Sequence, residues 1–164
     1  MRTTLRLACL TWVAAIGLVG CGSDAHDHIH GIGGHTHGHA HVAPHGGTLI
    51  VLGEESAHLE WVMDAASGKV DLYVLDGEAI NGLPVPQESL RFAIEGVPEL
   101  TSVELQAVAS SLSGETVGNS SRFQGEIAGL KGVEQFKATL EAITVRGVDF
   151  RGVSFPYPEG NEGH

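Results

Sequence analysis

The feature that most limits what this chain can fold into is a strict alternation of apolar and polar side chains in short runs. It is clearest in Leu90-Arg91-Phe92-Ala93-Ile94-Glu95 and in Ser102-Val103-Glu104-Leu105-Gln106-Ala107. Successive residues of a strand face opposite sides, so this period belongs to half-buried β-strands. Similar runs occur at 47–52, 57–64, 69–76, 121–128, 135–145 and 148–155, punctuated by Gly, Pro, Asn and Ser. About eight short strands at this spacing predict an all-β fold, an antiparallel sandwich or barrel. The segment from Ser56 to Gly68 also reads as a helix, with an N-cap serine, apolar Leu59, Val62 and Met63, and a terminal glycine.

The alternation slips in two places. Phe136, Ala138 and Leu140 keep one parity while Ile143 and Val145 keep the other, and Phe150 is out of step with Val153 and Phe155 across Gly152. A β-bulge at each slip accounts for this. Arg146-Gly147 between them reads as a hairpin turn, with Gly147 supplying positive φ.

The stretch from His26 to His45 is of a different kind. Eight of the ten histidines fall within twenty positions, beside Asp27 and among six glycines counting Gly46 and Gly47. Too few apolar groups are present to offset the entropy of ordering this backbone, so residues 21–44 are expected to be a disordered tether. As a Gly-rich coil it would span roughly 25 to 30 Å. In an extended chain residues two apart project to the same side, so His26, His28 and His30, and again His35, His37, His39 and His41, form two combs of imidazoles.

A neutral imidazole donates one lone pair near pH 7, and flexible glycines let several rings converge on one ion. The spacing lacks the fixed Cys and His pattern of a structural zinc module, which makes it a multi-register buffer. A solubilising linker that is merely His-rich is the plainer alternative.

Met1 to Gly20 carries Arg2 and Arg6 and then a short apolar run, the form of an export signal too short to span a bilayer. Leu18-Val19-Gly20-Cys21 resembles the lipobox of bacterial lipoproteins, which implies cleavage before Cys21 and lipidation of Cys21. The expected location is the bacterial envelope, anchored in a membrane, the outer one first, and facing the periplasm. Cys9 leaves with the signal, so no disulfide is expected. With Met63 the one remaining methionine, the soft ligands that favour Cu(I) are missing, leaving Zn(II) or Cu(II) first, then Ni(II) or Co(II). Loss of Arg2 and Arg6 removes two positive charges from a net charge of −11, giving −13. Nothing basic remains to neutralise phosphates, so no nucleic-acid partner is expected.

From His45 to about Tyr157 the length suits one domain, followed by a flexible tail at 158–164. His45-Gly46-Gly47, Leu52-Gly53, His58-Leu59-Glu60, Val62, Asp64, Gly68-Lys69 and Leu72-Tyr73-Val74-Leu75-Asp76 together resemble small exported bacterial domains associated with heavy-metal efflux. Such modules also precede the periplasmic adaptor subunits of resistance-nodulation-division pumps. The resemblance covers His45 to Ala79, with an echo in Phe136 to Phe155. It implies a β-sandwich (immunoglobulin-like or similar), a strand rather than a helix at 57–64, and an efflux adaptor or pump as partner. It supplies no ligand set and does not cover the His combs.

If residues 53–56 close a hairpin, Leu52 pairs with Ala57, which sets His58 opposite Val51 and His45 opposite Asp64. His45, His58, Glu60 and Asp64 then share one face, with His58 and Glu60 about 7 Å apart and His45 roughly 20 Å from His58. They make one site only if the linker folds back. A His45 and Asp64 pair, or a His58 and Glu60 pair, would lend ligands to an ion held by the combs, although His58 equally suits an edge histidine with a hydrogen bond. Leu59, Trp61 and Met63 point to the core. The serines lack a nucleophile-elbow context and the carboxylates are scattered, so no enzyme is expected.

The sequence thus leads to a membrane-anchored metal-binding protein that buffers or delivers divalent ions, with His26, His28, His30, His35, His37, His39, His41, His45 and His58 as ligands. The alternatives are an envelope assembly module with a His-rich spacer, or a zinc-uptake accessory. Replacing Cys21 tests the anchor. Cys21→Ala is expected to accumulate as an unprocessed precursor on a denaturing gel, and the same mature N-terminus in both variants would overturn lipidation.

Overall fold

The computed structural model describes residues 41–161. Cys21 and the histidines from His26 to His39 lie outside these residues. The described chain forms eight strands and one short 3-10 turn, Ala128–Leu130. The strands are β1 (Thr48–Leu52), β2 (Ala57–Asp64), β3 (Lys69–Leu75), β4 (Ser89–Glu95), β5 (Ser102–Ala107), β6 (Arg122–Glu126), β7 (Phe136–Val145) and β8 (Val148–Tyr157). Each falls on one of the alternating runs, with ends shifted by two residues at most. The helical option over 56–68 is not taken, because β2 is hydrogen-bonded to β1 on one side and β3 on the other.

All pairings are antiparallel and belong to one sheet, in the order β1-β2-β3-β6-β5-β4-β7-β8. Two three-strand meanders meet at β3 and β6, and the β7–β8 hairpin joins through β4. The expected sandwich of two facing sheets gives way to this single, nearly closed, barrel-like sheet. Alternation tells which side chains face inward, and it reads the same whether the inward faces belong to two sheets or to one that curls.

What brings the last strand back to the first is a side-chain seam. Asn161 accepts from the Val51 N–H through Oδ1 at 2.7 Å and donates to the Val51 carbonyl through Nδ2 at 3.3 Å, taking the place of a neighbouring strand's peptide group. The Thr48 hydroxyl donates to the Pro158 carbonyl at 2.9 Å. Gly160 passes so close to β1 that a Cβ on it would sit 2.2 Å from the Leu49 carbonyl oxygen.

The interior is aromatic at its centre. Trp61 is fully buried and meets Phe92 edge-on at 5.1 Å, with Phe155 and Phe136 at 5.9 and 6.0 Å. Leu59 is buried beside it and Met63 packs against the same cluster, as the alternation requires. Edge-to-face contacts of this kind add about 0.5–1.5 kcal/mol each to the burial itself.

The two parity slips are a single event. Leu140↔Val153 and Ala142↔Arg151 keep the same register, so neither strand inserts a residue, and the ladder is interrupted only at Glu141 and Gly152. Gly152 takes φ +64°, and both strands turn over together at that step. The expected bulges are thus replaced by one shared break. Arg146 and Gly147 both have positive φ, 51° and 81°, which matches the right-handed twist of the hairpin they close.

Asn161→Ala removes both bonds to Val51. We expect a loss of about 1–3 kcal/mol in urea denaturation together with faster amide exchange at Val51 than at Leu59; unchanged protection at Val51 would show that the seam does not hold the barrel shut.

Candidate functional site

Because side chains alternate along β2, Leu59 and Trp61 fill the barrel and His58 and Glu60 face outward. In a one-layer barrel an outward side chain meets water, yet His58 and Glu60 are both fully buried. Their cover is the chain just before β1. Ala43 packs with Leu49, Leu75, Ala79 and Tyr73 in a second, small apolar cluster on the outside of the sheet. The segment 41–47 is therefore a strap lying across β1, β2 and β3.

Two glycines allow the strap to lie flat, each for its own reason. The Gly46 N–H donates to the Ala43 carbonyl at 3.2 Å, closing a turn in which Gly46 has φ +72°. Gly47 rides directly on β2, where a Cβ would come within 2.6 Å of the Trp61 carbonyl oxygen and 2.8 Å of a Val62 methyl.

Glu60 holds the strap down. Its Oε1 accepts from the backbone N–H of His45 at 2.7 Å and of Gly47 at 2.9 Å, and its Oε2 lies 2.7 Å from His45 Nδ1. Three donors converge on two oxygens, so both oxygens of Glu60 are satisfied. A carboxylate only accepts, so His45 carries a proton on Nδ1 and donates it to Glu60. The ring stacks on Tyr73 at 3.7 Å with planes 5° apart. The Arg122 guanidinium lies 5.7 Å from the same Tyr73 ring.

Arg122 is itself committed to Asp71, which accepts from its Nε and a terminal nitrogen at 3.0 and 2.6 Å and from Gln124 at 2.7 Å. Burial alone pushes the Asp71 carboxyl up, but the bonds from Arg122 and Gln124, with the charges of Arg122 and Lys69, hold it below the ordinary carboxylate range.

His58 sits one register step along. Its Nδ1 is 3.2 Å from the Asp76 carbonyl oxygen, and the His41 ring meets it edge-on, centroids 4.5 Å apart and planes 60° apart. His41 Nε2 is buried and has no hydrogen-bond partner among the described residues. Asp76 is fixed by the turn it caps, its carboxylate accepting from the backbone of Ile80 and Asn81 and from the Asn81 side chain. Those bonds, the one from Ile80 first, hold the Asp76 carboxyl below its usual range.

The expected hairpin register is present, with Leu52↔Ala57 and Val51↔His58, but the ladder stops at Thr48↔Trp61. Beyond that point the chain folds back instead of running on, and the partners change. His45 reaches Glu60 in place of Asp64, and the His58 ring meets that of His41. Asp64 caps its own turn through Ala66 and Ser67. Of the sequence-predicted ligands, His41, His45 and His58 thus fall on one face, while His26, His28, His30, His35, His37 and His39 are outside the described residues. No three His, Cys, Asp or Glu side chains gather as a metal-holding group among the described residues.

Sequence reasoning missed Glu60 as the anchor of the strap. The signal was present in Ala57-His58-Leu59-Glu60-Trp61, where polar residues at outward positions are flanked by a His-Gly-Gly able to turn the chain back over them.

No family model matches the chain, and no curated protein or solved structure matches it.

Glu60→Leu leaves the His45 and Gly47 donors without an acceptor. The expected cost is about 1–3 kcal/mol, with amide protection lost at Gly47 first and Trp61 emission unchanged in the folded state. Retained protection at Gly47 would mean that the apolar contacts of Ala43 hold the strap by themselves.

Proposed function

We propose that the chain is an envelope lipoprotein, anchored through Cys21, that binds Zn(II) or Cu(II) on its histidine combs and buffers these ions or delivers them to an efflux system. The observation that carries this reading is the comb itself, with His26, His28 and His30 and then His35, His37, His39 and His41 spaced two apart among glycines. Imidazole in number, without thiols, suits borderline divalent ions of the later first row. A net charge of −11 concentrates cations near the surface. The strap supports the reading in a second way. It begins at His41, the last residue of the comb, and is fastened to the domain by Glu60.

Calorimetry with Zn(II) on the soluble chain from residue 22 tests the proposal. Several ions per chain are expected at pH 7.5, falling to one or none when residues 26–39 are deleted. Imidazole must lose its proton to bind, and its unperturbed pKa is about 6.5, so lowering the pH to 5.5 is expected to release most of the metal. Stoichiometry that survives the deletion would remove the combs as the principal site. An envelope partner bound equally well by the deleted chain, with no metal taken up by the intact one, would favour the assembly module.

A further inference from the structure

We infer that Glu60 is a positioning residue for metal binding: it fixes the His45 ring so that Nε2 of His45 is the first imidazole nitrogen to take a divalent ion. This role rests on the metal-binding reading above and adds to it which ring is loaded first, and why.

The His45 ring is held in every direction it could turn. Tyr73 sets its plane, the two rings lying 3.7 Å apart and 5° from parallel. Within that plane Glu60 sets its rotation, because Nδ1 lies 2.7 Å from Oε2 and gives its proton there. The peptide that carries the side chain is fixed by the same group, since the His45 N–H donates to Oε1 at 2.7 Å. What remains is Nε2, on the other side of the ring. The His45 side chain is 41% exposed, and this nitrogen makes no hydrogen bond among the described residues.

A histidine that donates one ring N–H to a carboxylate is held in one tautomer and one orientation, and offers its other nitrogen to a metal. Glu60 is well suited to be that carboxylate. It is fully buried, so water does not compete for Oε2. Its Oε1 is occupied by the His45 and Gly47 peptides, so the carboxylate cannot swing away from the ring.

The charges around the ring do not oppose a cation. Arg122 lies 5.7 Å from the Tyr73 ring, but Asp71 takes its guanidinium in bonds of 3.0 and 2.6 Å and so matches its charge. Glu60 itself lies against the ring.

No cage of three ligands gathers among the described residues, so His45 is one fixed donor and water or comb imidazoles fill the other positions. A ring already fixed loses less freedom on binding than one on a glycine-rich tether, which is why the first ion goes to it. An imidazole donor selects Zn(II), Cu(II), Ni(II) or Co(II) over Ca(II) and Mg(II), which take oxygen.

Titrating the soluble chain from residue 22 with Cu(II), with affinity read by calorimetry and the Tyr73 ring by NMR, tests this. Below one equivalent the Tyr73 ring signals are expected to broaden, because a paramagnetic ion on His45 sits beside that ring. Glu60→Gln separates positioning from mere support. Its amide oxygen still accepts from the His45 and Gly47 peptides, while its NH2 turns a donor toward Nδ1. Amide protection at Gly47 is expected to stay, and affinity for the first ion to fall about 10–100-fold. His45→Phe keeps a ring for Tyr73 and is expected to lose the same affinity together with the Tyr73 broadening. If Glu60→Gln frees the strap and Gly47 loses its protection, His45→Phe decides. Affinity retained in Glu60→Gln with Gly47 still protected, or retained in His45→Phe, overturns the inference. Several ions bound by the intact chain without early broadening of Tyr73 also overturns it and leaves the combs standing, whereas a chain that takes up no ion overturns the metal-binding reading and this role with it.

Discussion

A carboxylate taken out of water must find its donors within the protein, and Glu60 finds three, all of them on a stretch of seven residues that precedes the first strand. Burying an ion without such partners costs several kcal/mol. In the conformation that meets this demand, the chain from 41 to 47 also seats Ala43 on Leu49, Leu75 and Ala79 and sets the His41 ring on His58. The inner core explains why a barrel forms. Glu60 explains why one of its outer faces is dry.

The polar residues around it are arranged in tiers. Glu60 fixes His45, His45 lies on Tyr73, and Tyr73 has Arg122 at its ring while Asp71, which also accepts from Gln124, ties that guanidinium across β3 and β6. Each member has a partner of opposite character, so the row spans four strands of the sheet, from Leu49 on β1 through Glu60 and Tyr73 to Arg122 on β6. Such networks specify one arrangement more sharply than apolar packing does, because a half-satisfied member is penalised.

Much of the barrel was legible in the sequence, and the reason is geometric. A strand with one wet face must alternate, so β4 and β5 announce themselves in Leu90 to Glu95 and Ser102 to Ala107. β2 was legible with less contrast, because the strap dries its second face and five consecutive residues from Ala57 to Trp61 are buried. That is why the same residues also passed for a helix. The choice between sandwich and barrel was not legible, since the bonds that bring β1 to the end of the chain come from the side chain of Asn161, which alternation does not register. The register argument placed His58 correctly opposite Val51 but carried β1 on through His45, where Gly46 at φ +72° turns the chain back. Extended pairing was assumed to continue up to the histidine, and two glycines ended it.

The seam has a consequence for the order in which the molecule is made. Val51 and Asn161 are 110 residues apart, so the bond that shuts the barrel joins β1 to a residue that follows β8. The β1–β3 meander pairs strands that are consecutive in sequence and can form early, as can β4–β6. Until Asn161 emerges, β1 keeps an unpaired edge, the condition in which strands pair with other chains. Completion therefore waits for Asn161, and the interval before it arrives is when this fold is most exposed to misassembly.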